Sequence, residues 1–299
     1  MSFFKTLPII SFILLLLCSG CTPTASLPDS QPASAEAYIE NKGSDTMVNL
    51  ALTWAEAYQK EHPDTQISVT GGGSGTGIAA LINGTVSIAN ASRAIKSEEA
   101  DKALANGIQP VEFVVARDAI AVIVNPHNPI DQLTLQQISD IYSGKINNWS
   151  ELGGEDRPIV RLSRETNSGT HVYFLETVLR LGHKENKTLF SMDTLLLPSS
   201  EGITAEVKDN PNAIGYDGLG YIIPEVKVLA VAVDSAGPFV MPSAITVNDG
   251  SYPVSRDLYM YTNGQPGGAL KAYLDWIIQP EAQAIVTQLG FVPVIGAIQ

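Results

Sequence analysis

Along this chain the spacing of apolar positions switches repeatedly between two residues and three to four, and Gly or Pro marks most of the switches. "AYIENKGS" (37–44) reads as a strand and turn, and "TMVNLALTWAEAYQKEHP" (46–63) as a helix stopped at Pro63. "TQISVT" (65–70) is a strand and "GIAALING" (77–84) a helix with Gly84 just past its end. "VSIANAS" (86–92) is a strand, followed by the polar helix "SEEADKALANG" (97–107) ending at Gly107. Such alternation predicts α/β units around a mostly parallel sheet. "FVVARDAIAVIVNP" (113–126) is a long apolar run broken by Arg117–Asp118, and it reads as a strand leaving one lobe for another. Beyond it come the helix "TLQQISDIYSG" (134–144), the turn-rich loop "INNWSELGG" (146–154) and a strand, loop and helix over "PIVRLSRETNSGTHVYFLETVL" (158–179). "AIGYDGLGYI" (213–222) is a Gly-rich strand and turn. "YPVSRDLYMYT" (252–262) alternates strongly and returns the chain to the first lobe. Helices "GGALKAYLDWIIQ" (267–279) and "PEAQAIVTQLG" (280–290) close the chain, the second with Pro280 in its first turn. No repeat of fixed period is present.

The first residues follow a different rule. "MSFFK" carries a positive charge and "LPIISFILLLLC" is an apolar stretch too short to span a bilayer as a stable helix. "CSGC" (18–21) then resembles a bacterial lipobox, with Cys18 where Leu is usual, so cleavage is expected after Gly20 and lipid on Cys21. "TPTASLPDSQPASAEA" (22–37), rich in Pro, Ser and Ala, reads as a flexible tether. Cys18 and Cys21 are the only cysteines of the chain, so removal of one and acylation of the other would leave none for a disulfide, a metal or a nucleophile. With 299 residues, 44% of them hydrophobic, two lobes are the natural expectation. A formal charge of −13 argues against nucleic acid and anionic membrane surfaces as partners of the bulk surface. It does not argue against a small anion held in a cleft.

Three stretches share one local chemistry. "KGSDTM" (42–47), "GGGSGTG" (71–77) and "NSGTHVYF" (167–174) each end a strand or loop and open a helix with Gly, Ser and Thr. The first amides of a helix lack intrahelical partners and its dipole favours negative charge there; Gly admits close approach and hydroxyls add donors. Each stretch alone reads equally as a helix cap or a tight turn. Together with "ASR" (Ser92, Arg93) and Arg164, four residues before Ser168, they point to an anion site. "GGGSGTG" lacks the Lys of a nucleotide P-loop, and no acidic ribose partner stands where a dinucleotide fingerprint needs one. His62, His127, His171 and His183 do not cluster in sequence, so no metal and no cofactor is expected. A G-x-S-x-G nucleophile elbow is missing, although Ser74 lies in a comparable setting and His171 follows Thr170 closely enough for a Ser–His pair.

"GSDTM", "GGGSGTG", "ASRAIK", "IYSGKINNW", "RETNSGT", "AIGYDGLGY" and "PEAQAIVTQLGFVPV" occur in this order across nearly the whole mature chain. Together they resemble the phosphate-binding proteins of bacterial phosphate ABC transporters in their short lipoprotein form. The resemblance implies a two-lobed periplasmic-binding-protein fold of type II, with two crossover strands and phosphate in the cleft between lobes that close on it. It assigns ligand roles to Ser44 and Thr46, with the Met47 amide, in the first motif; to Ser74, Gly75 and Thr76 in the second; to Ser92 and Arg93 in the "SR" element; and to Arg164, Ser168, Gly169 and Thr170 in the third. Long members carry an Asp near the position of Arg93 that accepts the phosphate proton. In its absence Asp45 is the first substitute, with Asp217 and Glu165 behind it. His171 also departs from the family, where Arg is common.

The expected organisation is a signal peptide over 1–20, a tether over 21–37, one lobe from 38–116 and 253–299, and a second from 117–252. The expected function is a monomeric, lipid-anchored extracytoplasmic protein that captures inorganic phosphate and delivers it to a membrane permease without catalysing a reaction. The alternatives are a binder of another tetrahedral oxyanion, such as sulfate or molybdate, and a secreted phosphate-ester hydrolase using Ser74 or Ser168.

Overall fold

The structure, a computed structural model, describes residues 37–294; the leader, Cys21 and the tether as far as residue 36 lie outside the described residues. The chain runs through β1 (Ala37–Gly43), a 3-10 turn (Asp45–Met47), α1 (Val48–Glu61), β2 (Thr65–Thr70), α2 (Ser74–Ile82), β3 (Ile88–Ala91) and α3 (Ser97–Ala105). β4 (Pro110–Val124) then carries it into a second set: β5 (Gln132–Thr134), α4 (Leu135–Tyr142), β6 (Val160–Arg164), α5 (Gly169–Phe174), β7 (Leu195–Leu197), α6 (Ser200–Asp209), β8 (Ala213–Gly218), β9 (Lys227–Val228), β10 (Ala230–Ala232) and α7 (Ala244–Asn248). β11 (Ser255–Asn263) returns to the first set, followed by α8 (Gly268–Ile277) and α9 (Pro280–Gln288). α2 starts at Ser74, three residues before the expected helix start, which brings Ser74 into its first turn.

One sheet runs in the order β2-β1-β3-β11-β4-β8-β6-β7, with β9 paired to β4. It is mixed rather than mostly parallel. β1 is parallel to β2 and β3, and β6 to β7 and β8, but β11 is antiparallel to β3 and β4, and β4 to β8. The physical reason is the double crossing. A chain that leaves one lobe and comes back does so in opposite directions, so the two long strands that join the lobes pair antiparallel. β4 pairs with β11 from Pro110 to Ala119 and with β8 from Ile120 to Val124.

Each lobe has helices on both faces of its part of the sheet, and the period-two alternation of the strands shows why. On β11, Leu258 and Met260 join Leu50 and Trp54 of α1, Tyr273 of α8 and Val286 of α9, while Tyr261 faces Ile78 and Leu81 of α2. On β4, Val122 and Val124 meet Ile138 and Ile141 of α4 and Phe174 of α5, whereas Ala121 and Ile123 meet Ile203 and Val207 of α6. Burial of each such Leu, Ile, Val or Phe stabilises the fold by about 1.5–3 kcal/mol. Trp54 adds a buried hydrogen bond from Nε1 to the Ala282 carbonyl, tying α1 to α9.

Candidate anion-binding site

The strand ends of the two lobes meet at one place, and the motifs singled out in the sequence arrive there together. Thr46 Oγ1, in the turn before α1, lies 2.8 Å from Thr170 Oγ1 in the first turn of α5, and both are buried. Ser74 Oγ accepts from the Ser92 amide at 3.0 Å and shares a hydrogen bond with Ser92 Oγ at 3.2 Å. Gly169 touches this pair: a Cβ there would fall 2.3 Å from Ser74 Oγ and 2.5 Å from Ser92 Oγ. Gly73 allows the same closeness on the other side, with φ +94° and space for a Cβ only 2.7 Å from the Asn167 carbonyl. Ser168 caps α5 by accepting from the Thr170 and His171 amides. Ser44 is buried, and its Oγ has no partner among the described residues.

Arg164, at the end of β6, is 1% exposed. Its Nη2 donates to Asp45 Oδ2 at 2.8 Å and to the Pro198 carbonyl at 2.7 Å, Nη1 to Ser200 Oγ at 2.7 Å, and Nε to the Leu197 carbonyl at 3.3 Å. Asp45 therefore faces Arg164 across the cleft, and the same Oδ2 accepts from the Ser200 amide at the start of α6. Asn167 completes the cross-cleft contacts by donating to the Gly72 carbonyl and accepting from the Gly75 amide.

Several expected residues are placed elsewhere. Arg93 turns away towards α3, where Glu99 takes it in a two-pronged ion pair at 2.7 and 2.8 Å, because an acidic residue in the first turn of α3 lies within its reach. Thr76 Oγ1 is returned to the Gly72 carbonyl of its own turn, and the Gly75 amide is taken by Asn167. The Met47 amide bonds the Ser44 carbonyl. Glu165 is exposed. The His171 ring is buried against Phe190, and its Nδ1 meets Ser163 rather than the Ser168 hydroxyl. Burial lowers its pKa. Asp217 is fully buried; its Oδ1 accepts from Ser200 Oγ and the Gly218 amide, and its Oδ2 has no partner among the described residues. Burial pushes its pKa up to about 6, against the pull of Arg164.

The sequence reading missed Arg256, Asp118, Ser200 and Asn167. Arg256 on β11 lies in register with Asp118 on β4, and its Nη2 donates to Asp118 Oδ2 at 2.9 Å. Asp118 was visible as a charge inside an apolar run, a position that demands a buried partner. Arg256 falls on the buried parity of an alternating strand. Ser200 and Asn167 carried no signal of their own.

Two lobes joined by paired crossover strands, with hydroxyls and glycines gathered between them, define a binding protein rather than a solid single-core domain, and the family model of the PBP superfamily domain matches residues 30–281. The phosphate-binding protein PstS of Pseudomonas aeruginosa is 32% identical over 286 residues, 90% of this chain and 87% of that one. PstS of Bacillus subtilis is 31% identical, over 95% of this chain and 91% of that protein. A crystal structure of a phosphate ABC transporter substrate-binding protein from Clostridium perfringens, described as putative and with phosphate bound, aligns at a TM-score of 0.76 and 34% identity, covering 86% of this chain and 99% of that one. The chain belongs to the PBP superfamily and, within it, to the family of PstS phosphate-binding proteins.

Proposed function

We propose that this protein is the extracytoplasmic receptor of a phosphate ABC transporter: it captures inorganic phosphate between its lobes and delivers it to the membrane permease. The observation that carries this reading is the meeting of Thr46, Ser74, Ser92, Gly169 and Thr170 from four separate motifs on two lobes. In this reading Ser44, Thr46, Ser74, Ser92, Ser168, Gly169 and Thr170 supply hydroxyl and amide donors and Arg164 supplies charge. Micromolar affinity requires about 8 kcal/mol. Helix termini at roughly 0.3–2 kcal/mol each leave a large share to charge-assisted bonds at roughly 1.5–3 kcal/mol each. Asp45, engaged by Arg164 and Ser200, acts in lobe closure. Asp217, which keeps one oxygen without a partner, takes over as the acceptor of the phosphate proton. Lobe 1 comprises 38–116 and 253–299, and lobe 2 comprises 117–252.

The protein works as a monomer and catalyses nothing. A Ser nucleophile needs a neighbouring base; Ser74 Oγ is bonded to Ser92 and Ser168 Oγ to the Thr170 and His171 amides, while the His171 ring meets Ser163, which is fully buried. Among the described residues no helix is long and apolar enough to cross a membrane. The "CSGC" segment supports attachment through lipid at Cys21. Replacing Cys21→Ser is expected to move the protein from the membrane fraction to the soluble one; identical fractionation of both forms would remove the anchor. For the function itself, a thermal melt with and without phosphate is the test. A ligand bound by the folded state alone raises Tm. A rise with phosphate that sulfate does not match, with no turnover of a chromogenic phosphate ester, is expected. Turnover of the ester, or an equal rise with sulfate, would replace the reading with one of its rivals.

A further inference from the structure

The crossover strands carry a second guanidinium into the place where the motifs meet. Arg256 and Asp118 face each other across the β4–β11 pair, with side chains 2% and 0% exposed. Arg256 Nε and Nη2 both donate to Asp118 Oδ2, at 3.2 and 2.9 Å. The remaining donors do not turn to solvent. Nη1 donates to the Ser92 carbonyl at 2.9 Å and Nη2 to Thr170 Oγ1 at 3.0 Å, and Nη2 reaches Thr46 Oγ1 at 3.5 Å. A single side chain thus touches the first motif, the "SR" element and the third motif, and so both lobes. Asp118 Oδ1 is held by the Leu219 amide, which fixes the carboxylate that fixes the arginine.

A buried ion pair is a poor device for stability alone, since an apolar pair of similar volume serves as well or better. Its chemistry here has another consequence. A hydroxyl that accepts from a guanidinium has one of its two lone pairs turned to a cation, so its proton points away from that cation, towards the neighbouring hydroxyl or an anion. Arg256 does this for Thr170 and stands behind Thr46. Arg164, by contrast, commits four of its five donors to Asp45, Ser200, Leu197 and Pro198 and shares its charge with Asp45. We propose that Arg256, oriented by Asp118, is the positioning and charge-bearing floor of the phosphate site and sets its preference for the dianion over the monoanion. This rests on the phosphate reading above. Around the guanidinium stand Asp118 on β4 and Tyr173 on α5, its ring centroid 5.7 Å away, while Asp257, next on β11, pairs with Arg117, and Asp217 on β8 acts on Asp118. Tyr173 is neutral throughout the useful pH range, because burial raises its pKa.

The test uses Arg256→Gln/Asp118→Asn, which keeps shape and removes both charges, and Arg256→Lys, which keeps the charge and loses the fork. Phosphate affinity is measured by calorimetry across the second ionisation of phosphate in the wild type and both variants, and the deficit is read as the ratio of variant to wild type at each pH, so that titration of Asp217, common to all three, cancels. The double variant is expected to melt near the wild type and to bind at least about 100-fold more weakly at alkaline pH. That deficit is expected to shrink in acid, where the monoanion dominates. Arg256→Lys is expected to lose about ten-fold, since a single nitrogen cannot reach Asp118, Ser92 and Thr170 from the separate positions of Nε, Nη1 and Nη2, and to keep the pH dependence. Wild-type affinity in the double variant or in Arg256→Lys, or a deficit that is the same at every pH, would overturn the assignment. A wild type that binds phosphate beside a double variant that matches it overturns the role of Arg256 alone, whereas a wild type that takes up no phosphate overturns both readings.

Discussion

At Gly169 the absence of one carbon decides whether the two lobes can meet. The site of its missing Cβ is 2.3 Å from Ser74 Oγ, closer than any methyl tolerates. Gly169→Ala is therefore expected to leave the melting temperature of the phosphate-free protein nearly unchanged, because the lobes can part. It is expected to weaken phosphate binding by roughly 5- to 150-fold, the equivalent of an overpacking cost of about 1–3 kcal/mol. Wild-type affinity in that variant would show that the bound state does not need this approach. Asp217 permits a test by pH. Its carboxyl titrates near 3.9 when unfolded and about 6 when folded, because of burial. Between those values the folded state holds the extra proton, so the contribution of Asp217 to stability is present in acid and is lost as pH rises through about 6. Asn has no proton to lose. The Tm of Asp217→Asn relative to wild type is expected to rise from about pH 4 to about pH 7, and a constant difference would contradict the assignment. At this scale the sequence exposed the hydroxyls and glycines, whose types announce their chemistry beside a helix start. It could not expose Arg256, whose partners Asp118 and Thr170 are distant in sequence and meet only through strand register.

Among the elements, the first turn of α6 and the turn before α1 form the link that the sequence reading left out. The sequence reading places no element in 180–212, although Ile203 and Val207 stand four apart behind the cap Ser199, so α6 is unexpected and with it Ser200 and its amide. Once α6 is in place, Asp45 is no longer a lone carboxylate beside ligand hydroxyls. It bridges lobe 1 to Arg164 and Ser200 of lobe 2, and its own carbonyl accepts from Tyr221 at 2.9 Å. Asp45→Asn separates a latch from a proton acceptor. A latch acts on closure, so the variant is expected to lose about ten-fold in affinity for phosphate, equivalent to about 1.4 kcal/mol, and by the same factor for any weaker oxyanion. Its scattering profile without ligand is expected to show a larger radius of gyration than the wild type. A selective loss of phosphate over sulfate with unchanged scattering would return Asp45 to proton acceptance. Arg93 teaches the complementary lesson. Its place beside Ser92 suggests a ligand, but the first turn of α3 offers Glu99, and that carboxylate holds the guanidinium at 2.7 and 2.8 Å.

For the whole molecule, the alternation of strand and helix was enough to expect two α/β lobes, and the charged break at Arg117–Asp118 marked the first crossing. The mixed direction of the sheet was not legible, because antiparallel pairing of β4 with β11 follows from the route of the chain rather than from any local pattern. The resulting cleft brings residues 46, 74, 92, 169 and 170 to one point from four motifs, and the central claim is that this point holds phosphate. Isothermal titration of the processed protein with phosphate, and in parallel with sulfate and molybdate, tests it most directly. The expected result is one phosphate per chain at micromolar affinity or tighter, about −8 kcal/mol or more, with sulfate and molybdate at least about 100-fold weaker. No heat with phosphate, or equal affinity for sulfate, would contradict it.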